Sequence, residues 1–324
     1  MMRNPVIFMF SGQGSQYRQM GRALYESQPC FREWLLKGDQ LVQDMVSLSV
    51  LEEMYTPENP NDDTFNQIIF TYPAVFLVEY ALAQLLLQRG IRPDYVLGVS
   101  MGSFAALAVA GVLSFEQALQ AVINQAVCFE TYCQTGNMIA ILNRPTMFSQ
   151  TPWLYQQSAL AGINFNKHFV IATPHTNWPE IRHMLKQTST VAQKLSVSHA
   201  FHSPWIDAAE HASGCFLQNL SYHTAQIPFI CCSNSTEMMN IPKHYLWNVI
   251  REPIQFQKTI TDLEANHAWR YLDLGPSGTL ATFVKYNLAP ASTSDFFMIM
   301  TPAGQELRNL EKLSAAAFIR LEAL

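Results

Sequence analysis

Charge is what this sequence has least of. Lys, Arg, Asp and Glu make up 14% of its 324 residues, against about 25% in an ordinary soluble protein. The 49% hydrophobic share excludes a disordered chain. It also suffices for a large core, so one large domain, with or without an insert, is expected. The 20 basic residues are scattered along a chain of net charge -5, which leaves no nucleic-acid footprint. Recognition of a partner through a local basic patch stays open, because net charge does not describe local fields.

Cysteine patterning is absent as well. Cys30, Cys128, Cys133, Cys215, Cys231 and Cys232 form neither a CxxC pair nor a Cys/His zinc spacing. No metal site is expected, and no nucleotide or other cofactor motif is visible. Cys231 and Cys232 are adjacent and ill suited to a simple disulfide, so buried free thiols in a reducing compartment are expected. Long apolar runs are not evident. Val6–Phe10 is too short for a signal peptide, and Ala105–Leu113 is far below the ~20 residues of a spanning helix. A cytoplasmic protein with no membrane contact is expected.

What is present is an alternation of strands and helices. Residues 5–10 read as a buried strand, Gly12–Gln16 as a turn and Tyr17–Glu26 as a helix. Apolar periodicity predicts a helix over 67–90. Pro93–Val99 is a second strand, followed by a small-residue helix from Ser103 to near Gly111. Ser114, with Gln117 three residues later, predicts a capped helix reaching Cys133. The texture changes from Gly136 to Val197. Strands are expected at Asn137–Leu142, Phe169–Ala172 and Lys194–Val197, and a helix at Trp178–Thr188. Such a run suggests a small α+β insert. A strand at Arg270–Leu274 and a helix over 305–323 follow. The alternation argues for a mainly parallel α/β sheet.

The strongest local signal is Gly98-Val99-Ser100-Met101-Gly102. It fits GxSxG, with a strand before and a small-residue helix after. That turn places the Ser100 hydroxyl beside free backbone N–H groups at a helix N-terminus, where an oxyanion would be stabilised. The bland reading is a tight turn packing a helix on a sheet. A serine hydroxyl needs a base. Nine histidines are available. Those at 168, 175, 183, 211, 223, 244 and 267 have no distinguishing neighbours, and surface or satisfied core roles are expected for them. His199 and His202 lie in Ser198-His199-Ala200-Phe201-His202-Ser203-Pro204. In extended chain, positions three apart face opposite sides, so only one should reach Ser100.

Five segments occur in order: Phe10-Ser11-Gly12-Gln13-Gly14-Ser15-Gln16, the Ser100 elbow, His199-Ala200-Phe201-His202, Pro253-Ile254-Gln255 and Leu274-Gly275-Pro276. Together they resemble the malonyl-CoA:acyl-carrier-protein transacylases and the acyltransferase domains of polyketide synthases. The resemblance runs to about residue 290. It implies an α/β fold: a hydrolase-like parallel-sheet core (1–134 and 199–324) with an inserted ferredoxin-like α+β subdomain (135–198). It further implies Ser100 as nucleophile and His202 as base. The backbone carbonyl of Gln255 would orient that histidine, and the N–H groups of Gln13 and Met101 would form the oxyanion hole.

Two departures bear on the acyl group, in a pocket expected to include Val99, Phe201 and Gln125. The residue before the serine, commonly His in the family, is Val99. The family's Arg that grips a malonyl carboxylate falls, counted without gaps, on Gln125. Arg offers a charged, bidentate fork and Gln one neutral amide. A buried carboxylate without its cation would lose about 2–5 kcal/mol, so neutral acyl groups are expected. With Leu272–Gly278, this pattern resembles the stand-alone acyltransferase homologues, of the pederin type, found with trans-acyltransferase polyketide synthases. That resemblance implies an acyl hydrolase acting on acyl carrier proteins to clear stalled chains, expected as a monomer. Transfer of acetyl, malonyl or other acyl groups from coenzyme A to a carrier protein is the alternative. A non-catalytic carrier-docking module fits less well, since docking would not need Ser100, His202 and Gln13 together.

Overall fold

The structure is a computed structural model. It describes residues 4–57 and 64–321, with residues 64 and 315–321 given by their backbone alone. In chain order the strands are β1 (Val6–Phe10), β2 (Tyr95–Gly98), β3 (Gly136–Ile141), β4 (Ala159–Phe165), β5 (His168–Pro174) and β6 (Ala192–Lys194). They continue with β7 (Phe229–Cys231), β8 (Glu237–Met238), β9 (Arg270–Asp273) and β10 (Asp295–Met298).

The larger sheet has the order β10-β9-β1-β2-β7-β8. All its pairings are parallel except β7 with β8. Central β1 is buried throughout, as a parallel strand covered on both faces should be. Phe8 and Phe10 enter the main core on one side; Ile7 and Met9 join a second cluster with Leu97, Phe256 and Tyr271 on the other.

On the main-core side lies the helix Ile68–Gln88. By length and composition it could cross a membrane, a run the sequence reading did not single out. Its apolar window is 94% buried inside the protein, and an apolar circumference is what a buried core helix requires. The helix Phe115–Tyr132 packs beside it. Ser114 Oγ accepts from the Gln117 N–H while the Gln117 side chain accepts from the Ser114 N–H, the reciprocal cap predicted.

The smaller sheet has the order β4-β5-β3-β6 and is antiparallel throughout. Helices Thr146–Gln150 and Pro152–Tyr155 follow β3, and Trp178–Gln187 follows β5. The chain order βαββαβ with that strand order is ferredoxin-like. Strand β4 meets the segment before the helix Phe256–Glu264 where the Ile163 N–H donates to the Ile254 carbonyl (2.8 Å) and the Ile254 N–H to Ala161 (2.9 Å). Gly162 permits this approach, because a Cβ there would lie 3.0 Å from the Ile254 Cβ.

Three expectations shift. The helix expected over Tyr17–Glu26 spans only Arg22–Ser27, because Gln19 and Gly21 adopt positive φ of 66° and 69°. The strand expected at Lys194–Val197 is Ala192–Lys194, since Leu195 and Val197 turn inward, Leu195 to a cavity and Val197 to the core. The C-terminal helix starts at Glu306, and residues 322–323 of that expectation lie outside the described ones. Strand β4 and the helix Pro29–Val46 were not anticipated.

Gly102 sits where a Cβ would lie 2.3 Å from the carbonyl oxygens of Phe10 and Ser11, backbone that cannot yield. Gly102→Ala is therefore expected to lower the thermal midpoint by about 5 °C or more, read by circular dichroism. A midpoint within a degree of wild type would contradict this packing.

Candidate active site

The elbow is built by exclusion. Ser100 has φ of 55°, a left-handed conformation costly for any residue with a side chain. A Cβ on Gly98 would stand 2.4 Å from the Ser103 Cα, and Gly102 is equally confined. Only glycine at both positions lets β2 turn sharply into the helix Gly102–Val109. The turn is pinned to β1 by the Val99 N–H donating to Phe10 O at 2.9 Å.

His202 reaches this serine through a left-handed turn of its own, φ 58°. Its Nε2 lies 2.9 Å from Ser100 Oγ and its Nδ1 lies 2.7 Å from the Glu252 carbonyl oxygen. A carbonyl only accepts, so Nδ1 carries the proton and Nε2 is left to accept from Ser100. Burial pushes the imidazole down to about 4, opposed only in part by the Glu252 carbonyl. The ring is therefore neutral at pH 7 and able to act as a base.

The orienting carbonyl is Glu252, not Gln255 as expected. Gln255 is the N-cap of the helix Phe256–Glu264, and its carbonyl accepts from the Thr259 N–H and hydroxyl. His199 does not reach Ser100. Its Nδ1 lies 2.9 Å from Ser198 Oγ, and its ring packs near Phe129 and Phe201.

The loop from Ser11 to Gln16 closes over the serine. Gly12 allows this, since a Cβ there would meet the Ser100 Cβ at 3.0 Å. Gln13 Nε2 donates to Thr71 Oγ1 at 2.7 Å, tying the loop to the helix Ile68–Gln88. Among the described residues no group accepts from the backbone N–H of Gln13 or of Met101. Both are free to meet an oxyanion.

Ser100 and His202 open into a cavity of about 290 Å³ between the two sheets. Gln13, Val99 and Phe201 help to line it, and among the described residues no Lys, Arg, Asp or Glu does so. Its neutral polar groups include Asn164, His168 and Gln193, none anticipated from sequence. His168 is held below its ordinary range by burial, with its Nδ1 3.0 Å from Asn164 Nδ2. No local motif marks these residues, because strands β4, β5 and β6 bring them together.

Gln125 does not line the cavity. It is fully buried on the helix Phe115–Tyr132, and neither of its amide atoms has a partner. It lies one turn before Phe129, whose ring packs 5.2 Å from that of Phe201. The expected selectivity position thus sits behind the wall, with no charge to offer.

Residues 7–300 match the family described as the acyl transferase domain. The chain belongs to that family. Among this acyltransferase's relatives is the polyketide biosynthesis acyltransferase homolog PksD of Bacillus subtilis (strain 168). It is 40% identical over 309 residues, covering 95% of each chain. The homolog BaeD of Bacillus velezensis is 40% identical over 312 residues, covering 96% of each. Among solved structures, a loading acyltransferase from the avermectin modular polyketide synthase superposes with a TM-score of 0.86 at 23% identity. That match covers 97% of this chain and 99% of the other. The malonyl-CoA:acyl carrier protein transacylase of Xanthomonas oryzae gives 0.81 at 24%, covering 94% and 96%. Both share the fold.

A base already neutral well below pH 6.5 should leave the rate of Ser100 acylation flat from about pH 5.5 to 8, falling only as pH approaches 4. Stopped acylation followed by intact-protein mass across pH would show this limb. A limb centred near 6.5 would mean that His202 is not the group titrating. Ser100→Ala should carry no acyl adduct, and His202→Ala should slow acylation by about 10³-fold or more, His199→Ala far less.

Proposed function

We propose that this acyltransferase-family protein removes neutral acyl groups from acyl carrier proteins of polyketide biosynthesis, releasing them as free acids. The observation that carries the reading is the uncharged cavity facing the Ser100–His202 pair.

In the first half of the reaction, Ser100 Oγ attacks the thioester carbonyl while His202 Nε2 takes its proton. The developing oxyanion meets the N–H groups of Gln13 and Met101, at the N-terminus of the helix Gly102–Val109. The C–S bond breaks, and His202 returns the proton to the leaving thiol. An acyl ester remains on Ser100. In the second half, His202 takes a proton from water, the resulting hydroxide adds to the ester, and the C–O bond to Ser100 breaks. The proton then passes to Ser100 Oγ.

A dicarboxylic acyl group is disfavoured by its second carboxylate. In this cavity it would be buried with no cation, at a cost of about 2–5 kcal/mol, or about 30-fold to several thousand-fold in preference. Neutral acyl chains incur no such penalty. The relatives' association with polyketide biosynthesis supports phosphopantetheine-bound carriers as the source.

Two measurements follow. Acetyl and butyryl thioesters should acylate Ser100 at least about 30 times faster than malonyl thioesters; comparable loading by malonyl-CoA would revive an extender-unit transferase. With acylated carrier protein and no added acceptor, free acid and free carrier thiol should appear together in equal amounts. Should the acyl group wait on Ser100 until coenzyme A or an unloaded carrier takes it, the protein is a transferase.

A further inference from the structure

Beneath the Ser11–Gln16 loop lies a buried carboxyl group that the reaction above does not use. Glu79, on the helix Ile68–Gln88, is completely buried. Its Oε1 lies 2.6 Å from the Ser11 N–H nitrogen and 2.7 Å from Ser11 Oγ. Ser11 Oγ is also 2.9 Å from Ser15 Oγ, and Ser15 Oγ is 2.8 Å from the Gly12 carbonyl oxygen.

Counting protons gives this chain a direction. The Gly12 carbonyl cannot donate, so the Ser15 hydroxyl donates to it. Ser15 Oγ then accepts, and the Ser11 hydroxyl supplies that proton. Ser11 has no second hydroxyl proton, so the contact between Ser11 Oγ and Glu79 takes its proton from Glu79. The carboxyl is therefore a neutral acid. Its surroundings agree. Glu79 Oε2 is buried without a partner, a position fit for a neutral oxygen and not for a charged one. Burial raises Glu79 well above the ordinary carboxyl range; its contacts with the Ser11 hydroxyl and N–H oppose this in part, and nearby Asp273 adds to it. Asp273 accepts from the Gly275 and Ala281 N–H groups at 2.8 Å each and is the better holder of charge.

The chain ends on a particular peptide. The Gly12 carbonyl and the Gln13 N–H belong to one rigid plane. A hydrogen bond to that carbonyl fixes the plane and polarises its N–H, and bonds in series strengthen one another. We propose that Glu79 is a positioning residue that acts through Ser11 and Ser15 to aim and polarise the Gln13 N–H at the oxyanion. The inference rests on the roles given above to Ser100 and Gln13. Thr71, eight residues earlier on the same helix, holds the Gln13 side chain, so one helix fixes the donor from two sides.

The test is the rate of ester formation on Ser100 with the butyryl thioester of N-acetylcysteamine, by rapid quench and intact mass. Glu79→Met, which cannot donate, and Ser15→Ala, which frees the Gly12 carbonyl, should each lower the limiting rate about tenfold or more. The half-saturating thioester concentration should stay within about twofold, because only transition-state stabilisation is lost. Both Ser11 contacts are to Glu79 Oε1, so in Glu79→Gln an amide nitrogen in that place can donate to Ser11 Oγ but cannot accept from the Ser11 N–H; its rate should fall between those of wild type and Glu79→Met. The double variant Glu79→Met with Ser15→Ala should be within about twofold of the slower single one, since both cut one chain. A folded Glu79→Met as fast as Glu79→Gln, or losses that multiply in the double variant, would overturn the relay. Should Glu79→Met fail to fold, an unchanged rate in Ser15→Ala overturns it alone. A wild-type Ser100 that never labels would overturn the acyl-serine reading, and the relay with it.

Discussion

The left-handed backbone at Ser100 is the constraint on which the rest of the site depends. A non-glycine residue in that conformation costs of order 1–3 kcal/mol and persists only where its surroundings leave no alternative. Here Gly98 touches the start of the following helix, Gly102 touches the end of β1, and the Val99 N–H is bonded to Phe10. The strain lifts the Ser100 hydroxyl off the sheet and leaves the Met101 N–H free behind it. The same compression brings Gly12 within contact of Ser100, so the loop after β1 must close directly over the nucleophile. The Ser100 hydroxyl and the free Gln13 and Met101 N–H groups are thus set by the ends of two adjacent parallel strands.

Burial does the rest of the electrostatic work. No carboxylate touches His202; a peptide carbonyl fixes its tautomer, and desolvation keeps it uncharged. An ion pair at this depth would have carried a large desolvation cost. A carbonyl orients the ring without adding a charge to a site that has none. The cavity follows the same logic, with amides, hydroxyls, a second depressed histidine (His168) and apolar side chains on its walls. The scarcity of charge in the composition reappears here as a lining without Lys, Arg, Asp or Glu among the described residues.

The segments that were legible were those whose chemistry is local. The GxSxG elbow declares itself because its glycines are demanded by sterics within five residues. The cap at Ser114 is a contact between residues three apart. The helix Ile68–Gln88 was expected with one apolar face but is apolar and buried nearly all round, and nothing local marks Glu79 within it as the partner of a loop 68 residues away. Contacts between distant segments were not legible in the same way. Gln255 was expected to orient His202, but its carbonyl is consumed by a helix turn and Glu252 faces the ring. Gln125 lies buried on the anticipated helix but is not among the residues that line the cavity.

The sequence by itself determined the strand–turn–helix at Ser100 and the parallel α/β class, which rest on short-range sterics and on strand–helix alternation. It narrowed the base to His199 or His202 within a seven-residue segment; the choice of His202 and the part of the Gln13 loop came from the family resemblance. Only the tertiary structure decided which carbonyl holds the histidine and which side chains from β4, β5 and β6 wall the cavity. It alone placed the Glu79 carboxyl beneath the Ser11 loop. Those relations join residues dozens to hundreds of positions apart, and strand order and helix packing fix such distances where no local pattern in the chain can encode them.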